Sequence, residues 1–211
     1  MSTYKVIVLA ATLFASIPSF GQNSKSQYMS IGPVIGMGHS WLNDRDNVLK
    51  PSGYLGLGMV YSKHENWGVG GIVTVSHEGY AYEYVRNGSI YRNAVDPTYL
   101  RMNPRVYYFF GHYNDVVRPK LFLGPSLGVK LTEDRYYDEP TTNGDYVTYN
   151  TTSMFNTMDL GINTGLGINV KLARNTWLNL DGDYYHGLTN ATASGSKNRT
   201  LRANVGLMFG F

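Results

Sequence analysis

The segment LRANVGLMFGF, residues 201–211, alternates without a break. Leu201, Ala203, Val205, Leu207, Phe209 and Phe211 share one parity, and Arg202, Asn204, Gly206, Met208 and Gly210 share the other. A period of two marks a strand with one apolar face and one small or polar face. A free edge strand this apolar invites aggregation in water. Closed into a barrel, with the apolar face toward lipid, the same strand has no free edge.

Seven earlier segments repeat the pattern. The first runs from Met29 to about Trp41, with Met29, Ile31, Ile35 and Met37 opposite Gly32, Gly36 and Gly38. The second covers Tyr54–Ser62 and the third starts at Trp67. The fourth sets Leu100, Met102, Pro104, Val106, Tyr108 and Phe110 against Arg101, Asn103, Arg105, Tyr107 and Phe109. The fifth spans Lys120–Leu131, the sixth Asp159–Leu172 and the seventh Trp177–Tyr185. About ten residues per segment is what a tilted strand needs to cross a bilayer. Short connections (63–66, 112–118, 173–176) alternate with longer polar ones near 42–52, 78–97, 133–152 and 188–199. Short periplasmic turns against long outer loops are the asymmetry of an outer-membrane barrel. The sequence therefore predicts an all-β, eight-stranded, antiparallel, up-and-down transmembrane barrel with both termini on the periplasmic side.

The charged residues decide which face looks inward. Arg101, Arg105, Lys120, Lys130, Lys171 and Arg202 share the second face with Glu78, Asp159, Asp181 and Asp183, interleaved with glycines. Such a set can pair inside a lumen, and the glycines leave room for long side chains. A soluble barrel with its apolar face inside is the competing arrangement, but its wet outer wall would carry fewer glycines, which weaken strands. Turning Arg101 and Arg105 to lipid would cost roughly 2–4 kcal/mol each near the midplane. The register is thereby fixed against a one-residue slip. Tyr61, Trp67, Phe110 and Phe209 fall beside the short turns, and Trp41 and Tyr184 near the long loops. This is the placement of two interfacial aromatic belts. Tyr54, Tyr107, Phe109, Phe122, Trp177 and Tyr185 would fill the interior of an eight-stranded barrel, which has space for side chains and little else.

The first 21 residues stand apart. Lys5, the apolar run Val6–Ile17 and the small-residue stretch 18–21 form the pattern of a secretory signal peptide, with cleavage expected near Gly21–Gln22. The apolar run falls well short of the roughly 20 residues that span a bilayer. The expected organisation is thus a leader over 1–21 and one barrel domain over 22–211. The chain contains no cysteine, so neither disulfides nor thiolate metal sites are available. Its net charge of +3 and lack of a basic run give no basis for nucleic-acid binding. Its 24 glycines and 18 tyrosines suit crowded barrel walls and interfacial belts.

The stretches KLFLGPSLGVKL (residues 120–131), DLGINTGLGINVKL (159–172) and WLNLDGDYYHGLTN (177–190) resemble those of PorT-like outer-membrane β-barrel proteins in content, order and spacing. The resemblance covers roughly residues 28–211. It implies an eight-stranded barrel, and some relatives take part in protein secretion across the envelope.

The histidines offer little chemistry. His186 has no serine at short spacing, Thr189 and Ser194 being the nearest hydroxyls, whereas a lipid-deacylating barrel needs a close His/Ser/acid set. His39 and Ser40 lie near Asp44 and Asp46, with Arg45 between the acids. His64, Glu65 and His112 sit in turns, and His77 and Glu78 point to opposite faces. No spaced metal-ligand set exists. Asp181 and Asp183 share a face and could form an acid/base pair, but salt bridging to inward Arg or Lys is the simpler reading. The expectation is a non-enzymatic monomer without cofactor or metal, structural or accessory to envelope assembly or secretion. Its expected contacts are outer-membrane lipid, the barrel-insertion machinery through Leu207, Phe209 and Phe211, and a partner protein through the outer loops. An outer-leaflet lipid-modifying enzyme and a narrow solute channel are the alternatives.

Overall fold

Every regular element among the described residues is a strand. The computed structural model describes residues 28–43, 50–86, 88–140, 146–147 and 154–211. The proposed leader lies outside the described residues. Ten strands are present: β1 (Met29–Leu42), β2 (Pro51–Tyr61), β3 (Trp67–His77), β4 (Tyr80–Arg86), β5 (Ser89–Phe109), β6 (Val117–Pro140), β7 (Tyr146–Val147), β8 (Met158–Ala173), β9 (Thr176–Gly187) and β10 (Asn198–Gly210). Eight of them form a closed antiparallel ring in the order β1-β2-β3-β5-β6-β8-β9-β10, with β10 returning to β1 and β5 pairing β6. The apolar terminal strand therefore has no free edge: it is hydrogen-bonded to β9 on one side and β1 on the other.

Two of the segments read as long loops prove to be largely strand. Residues 78–97 form the hairpin β4–β5, turning at Gly88, whose φ of 79° suits a residue without a side chain. Residues 133–140 continue β6, paired with the start of β5 from Arg92↔Asp138 onward, and β7 adds a two-residue strand beyond. The sheet thus projects past the ring on one side. The polar composition hid these strands because, above the membrane, neither face must be apolar.

The side-chain alternation follows the charge argument. Met37, Leu55, Val69, Val73, Leu123 and Leu166 are exposed on the outer wall, whereas Arg101, Arg105, Lys120, Asp159, Asp183 and Arg202 are buried within it. Glycines make space for these groups: a Cβ on Gly128 would lie 2.9 Å from Arg101 Nη1, and one on Gly161 would lie 2.5 Å from the Tyr185 ring.

Prolines interrupt two ladders of the ring: β1–β10 has no bridge between Ile31↔Phe209 and Val34↔Gly206, where Pro33 falls, and β5–β6 carries a wider gap. The β5–β6 register is bridged at Met102↔Leu127 and again at Val106↔Leu123, with none between. Continued from either side, it sets Pro104 opposite Pro125. The Pro104 carbonyl is directed at Gly124, so this is a position where two residues would exchange N–H···O bonds. Proline has no N–H, and both bonds are missing.

Candidate functional site

The lumen is organised in three layers. At its centre Arg101 donates from Nε to Glu78 Oε1 (2.5 Å) and from Nη2 to Glu78 Oε2 and Asp159 Oδ2 (both 2.6 Å). Asn198 Nδ2 donates to Glu78 Oε2 at 2.6 Å. Arg202 sits between two acids, with Nη2 2.9 Å from Asp183 Oδ1 and Nη1 3.8 Å from Glu78 Oε1. Arg105 Nη2 lies 3.7 Å from Asp183 Oδ2, and Lys120 Nζ 2.9 Å from Asp181 Oδ1. Asn163 and Asn204 also donate to Asp183. The rings of Tyr185, Tyr54 and Phe122 stack under the guanidinium groups of Arg101, Arg202 and Arg105. Asp181 and Asp183 thus each face a cation.

Two of the inward cations do not join this network. Lys130 lies nearer the long-loop end and pairs with Glu133 at 2.8 Å. Lys171 lies at the short-turn end and forms no ion pair among the described residues. Glu133, Asn163, Asn198 and Asn204 complete the site without a signal in the sequence that marks them. Glu133 and Asn198 lie in polar stretches with the composition of loops, and Asn163 and Asn204 carry no charge.

Above the network sits an apolar lid. Leu42, Tyr80, Val95, Phe155 and Ala191 form one buried cluster, with Met154 against it. Glu133 holds residues 154 and 155 in place by accepting from their backbone N–H groups at 2.6 and 3.0 Å. Phe155 bridges to Thr192, drawing two outer segments together over the mouth. Below the network, Tyr107, Phe109 and Phe122 pack together. A void of about 20 Å³ lies between Tyr54, Arg105 and Asn204. That volume holds about one water. A cleft of about 80 Å³ opens at the short-turn mouth beside Trp177, Arg118 and Tyr113.

The short turns are tied to each other. Asn66 Nδ2 donates to the Phe109 carbonyl and Tyr113 Oη to that of Ser62, each at 2.9 Å. The Tyr113 backbone N–H donates to Glu65 Oε1 at 3.1 Å, holding that carboxyl below the ordinary glutamate range, and His112 Nδ1 adds to this from 3.2 Å.

The candidate histidines are scattered. His77 is exposed and bonded to Thr98. His39 stacks on Trp41, with ring centroids 5.2 Å apart, and Trp41 lies 6.2 Å from Tyr184. His186 lies against Tyr184 and Arg199. These groups face outward near the long-loop end. Asp44 and Asp46 lie outside the described residues. At the other end Trp67, Tyr108 and Phe110 stack edge to face along the rim. Tyr61 is exposed beside them, and Phe209 is half-buried. No group of three or more His, Cys, Asp or Glu side chains suited to a metal occurs among the described residues.

A ring of eight strands with charges inside and an apolar wall outside is the geometry of a membrane barrel. A family model described as outer membrane protein beta-barrel domain matches residues 20–193, most of the chain. The chain belongs to this outer-membrane β-barrel family. Solved members of the same architecture superpose along nearly their full length. The outer membrane protein OprG from Pseudomonas aeruginosa shares 14% identity, with 90% of this chain and 98% of that one covered and a TM-score of 0.56. Neisserial surface protein A shares 12%, covering 87% and 97%, with a TM-score of 0.52. At such identities the likeness is one of fold. No protein of curated function matches the sequence. The family places the barrel in the outer membrane.

Proposed function

We propose that this barrel is a non-enzymatic, PorT-like protein with a structural or accessory role in envelope assembly or protein secretion. In this reading it acts through its outer surface and not through its lumen. The observation that carries the reading is the filled interior: a buried ion-pair network, roofed by the Leu42–Tyr80–Val95–Phe155–Ala191 cluster. Paired charges in a narrow, filled lumen offer neither an open water path nor an activated group. The three sequence stretches at 120–131, 159–172 and 177–190 support the PorT-like assignment. The β4–β5 hairpin, standing beyond the ring, is the surface the proposal assigns to a partner.

The test compares cells lacking the protein with cells carrying a barrel trimmed of hairpin residues 83–92. Both should show the same change in exported or outer-membrane protein content, although the trimmed barrel still folds. An unchanged envelope in the deletion strain would overturn the accessory role. A steady unitary conductance in planar bilayers would restore the channel reading. A mass shift in lipid A that depends on the protein and disappears with His186→Ala or His39→Ala would establish the enzyme reading.

A further inference from the structure

Arg199 breaks the parity rule of the terminal strand. The outward residues of β10 below it are Leu201, Ala203, Val205, Leu207 and Phe209, all apolar. Arg199 shares their face. Ten residues separate it from Phe209, and at about 3.4 Å per residue and a tilt of about 40° that distance spans ~25 Å of membrane normal, the height of a barrel's apolar band. With Phe209 at the short-turn rim, Arg199 stands at the opposite rim, level with the outer-leaflet headgroups.

Among the described residues, its surroundings hold it there without neutralising it. Nη1 is engaged by Tyr184 Oη at 3.2 Å and by the His186 ring. Nη2 and Nε have no partner, and no carboxylate reaches the group, among the described residues. Trp41 lies against Tyr184, and His39 stacks on Trp41, its Nδ1 3.1 Å from the Lys50 backbone. The adjoining strands β1, β9 and β10 thus present a fixed guanidinium, half of it free, within a row of interfacial rings. An arginine fork matches phosphate oxygens, and flanking aromatics favour the headgroup level.

We propose that this patch binds the phosphate of an outer-leaflet lipid, with Arg199 as the anion-binding group and Trp41, Tyr184 and His186 as its walls. The ligand is a lipid and not free phosphate because the site opens onto the apolar wall at Leu201 and not onto the lumen. Arg202, three residues on, faces inward and is already matched by Asp183.

The experiment uses the full mature barrel refolded in phosphatidylcholine nanodiscs and reads lipid retention by native mass spectrometry. The probes are diphosphoryl lipid A, its dephosphorylated form and inorganic phosphate. Diphosphoryl lipid A should be retained about tenfold more than the dephosphorylated lipid, the loss expected for one charge-assisted contact. Arg199→Gln should remove that preference, Arg199→Lys should keep part of it, and Arg174→Gln, at an exposed cation in the β8–β9 turn, should change nothing. Heat-dependent gel mobility establishes that each variant has folded. Equal retention of the two lipids would overturn the proposal, as would an undiminished preference in both Arg199 variants or an equal loss in Arg174→Gln. Displacement of lipid A by millimolar inorganic phosphate would overturn the lipid as the ligand.

Discussion

Leu166 and Leu201 face the same way but stand at different depths, and that difference is measurable. Leu166 lies mid-strand in β8, between Leu121 and Gly182, and is 65% exposed on the wall. Leu201 lies next to Arg199 at the rim. Leu166→Arg should cost about 2–4 kcal/mol and Leu201→Arg about 0–1 kcal/mol, because the penalty for a cation falls toward the interface. Urea unfolding in lipid gives both values, and equal costs would refute the depth assignment. Inside the lumen the governing quantity is pairing. Arg101 neutralises Glu78 and Asp159 at once, with all three side chains essentially inaccessible. Arg101→Met should cost about 3–5 kcal/mol by leaving two buried acids facing each other. Adding Glu78→Gln and Asp159→Asn should recover most of that loss in the same unfolding measurement. Recovery would show that removal of the counter-charge, and not lost packing, is what destabilises.

At the scale of elements, the β5–β6 ladder is a seam that has lost hydrogen bonds on both strands. Opposed prolines at 104 and 125 remove two hydrogen bonds from the middle of a membrane-spanning pair, where no water replaces them. Both side chains point outward, so Pro104→Val with Pro125→Val keeps the lipid face apolar. The double variant should gain about 1–3 kcal/mol from two restored bonds and slow amide exchange across both strands. A seam unchanged in exchange would mean that the strands already compensate. The ties between the two short turns depend on pH instead. Because the Tyr113 N–H lowers the Glu65 carboxyl below its value in the unfolded chain, the tie is present at neutral pH. It is lost as pH falls through the lowered folded-state value. Protection of the 62–66 and 110–116 amides, taken relative to the intrinsic exchange rate at each pH, should therefore fall in acid, and Glu65→Gln should flatten that dependence.

At the scale of the whole molecule, Phe211 offers a test that separates assembly from stability. Phe211 follows the end of β10, its backbone N–H donating to the Met29 carbonyl at 2.9 Å while its ring stays exposed. Phe211→Ala keeps the hydrogen bond and removes a ring that packs on little. It should slow assembly in cells, as expected of a C-terminal insertion signal, with little change in unfolding after refolding in vitro. Normal assembly kinetics would reduce Phe211 to a rim aromatic.

The sequence by itself determined the ring. Period-two alternation, glycine opposite bulk and charges confined to one parity define eight crossing strands and their inward faces, because a bilayer makes a one-residue slip expensive for each strand separately. It also placed Arg101, Arg105, Lys120 and Asp183 in the lumen, since those charges lie on clean alternating segments. It did not reveal β4, the extensions of β5 and β6, or the lid, where water relaxes the pattern and polar strands resemble loops. Partner choice was equally out of reach. That Arg101 takes Glu78 and Asp159, that Lys130 turns to Glu133, and that Arg199 meets Tyr184 and His186 at the rim depend on strand stagger around a closed ring. Parity assigns a side chain to a face, but only the tertiary structure sets its height against neighbours distant in the chain.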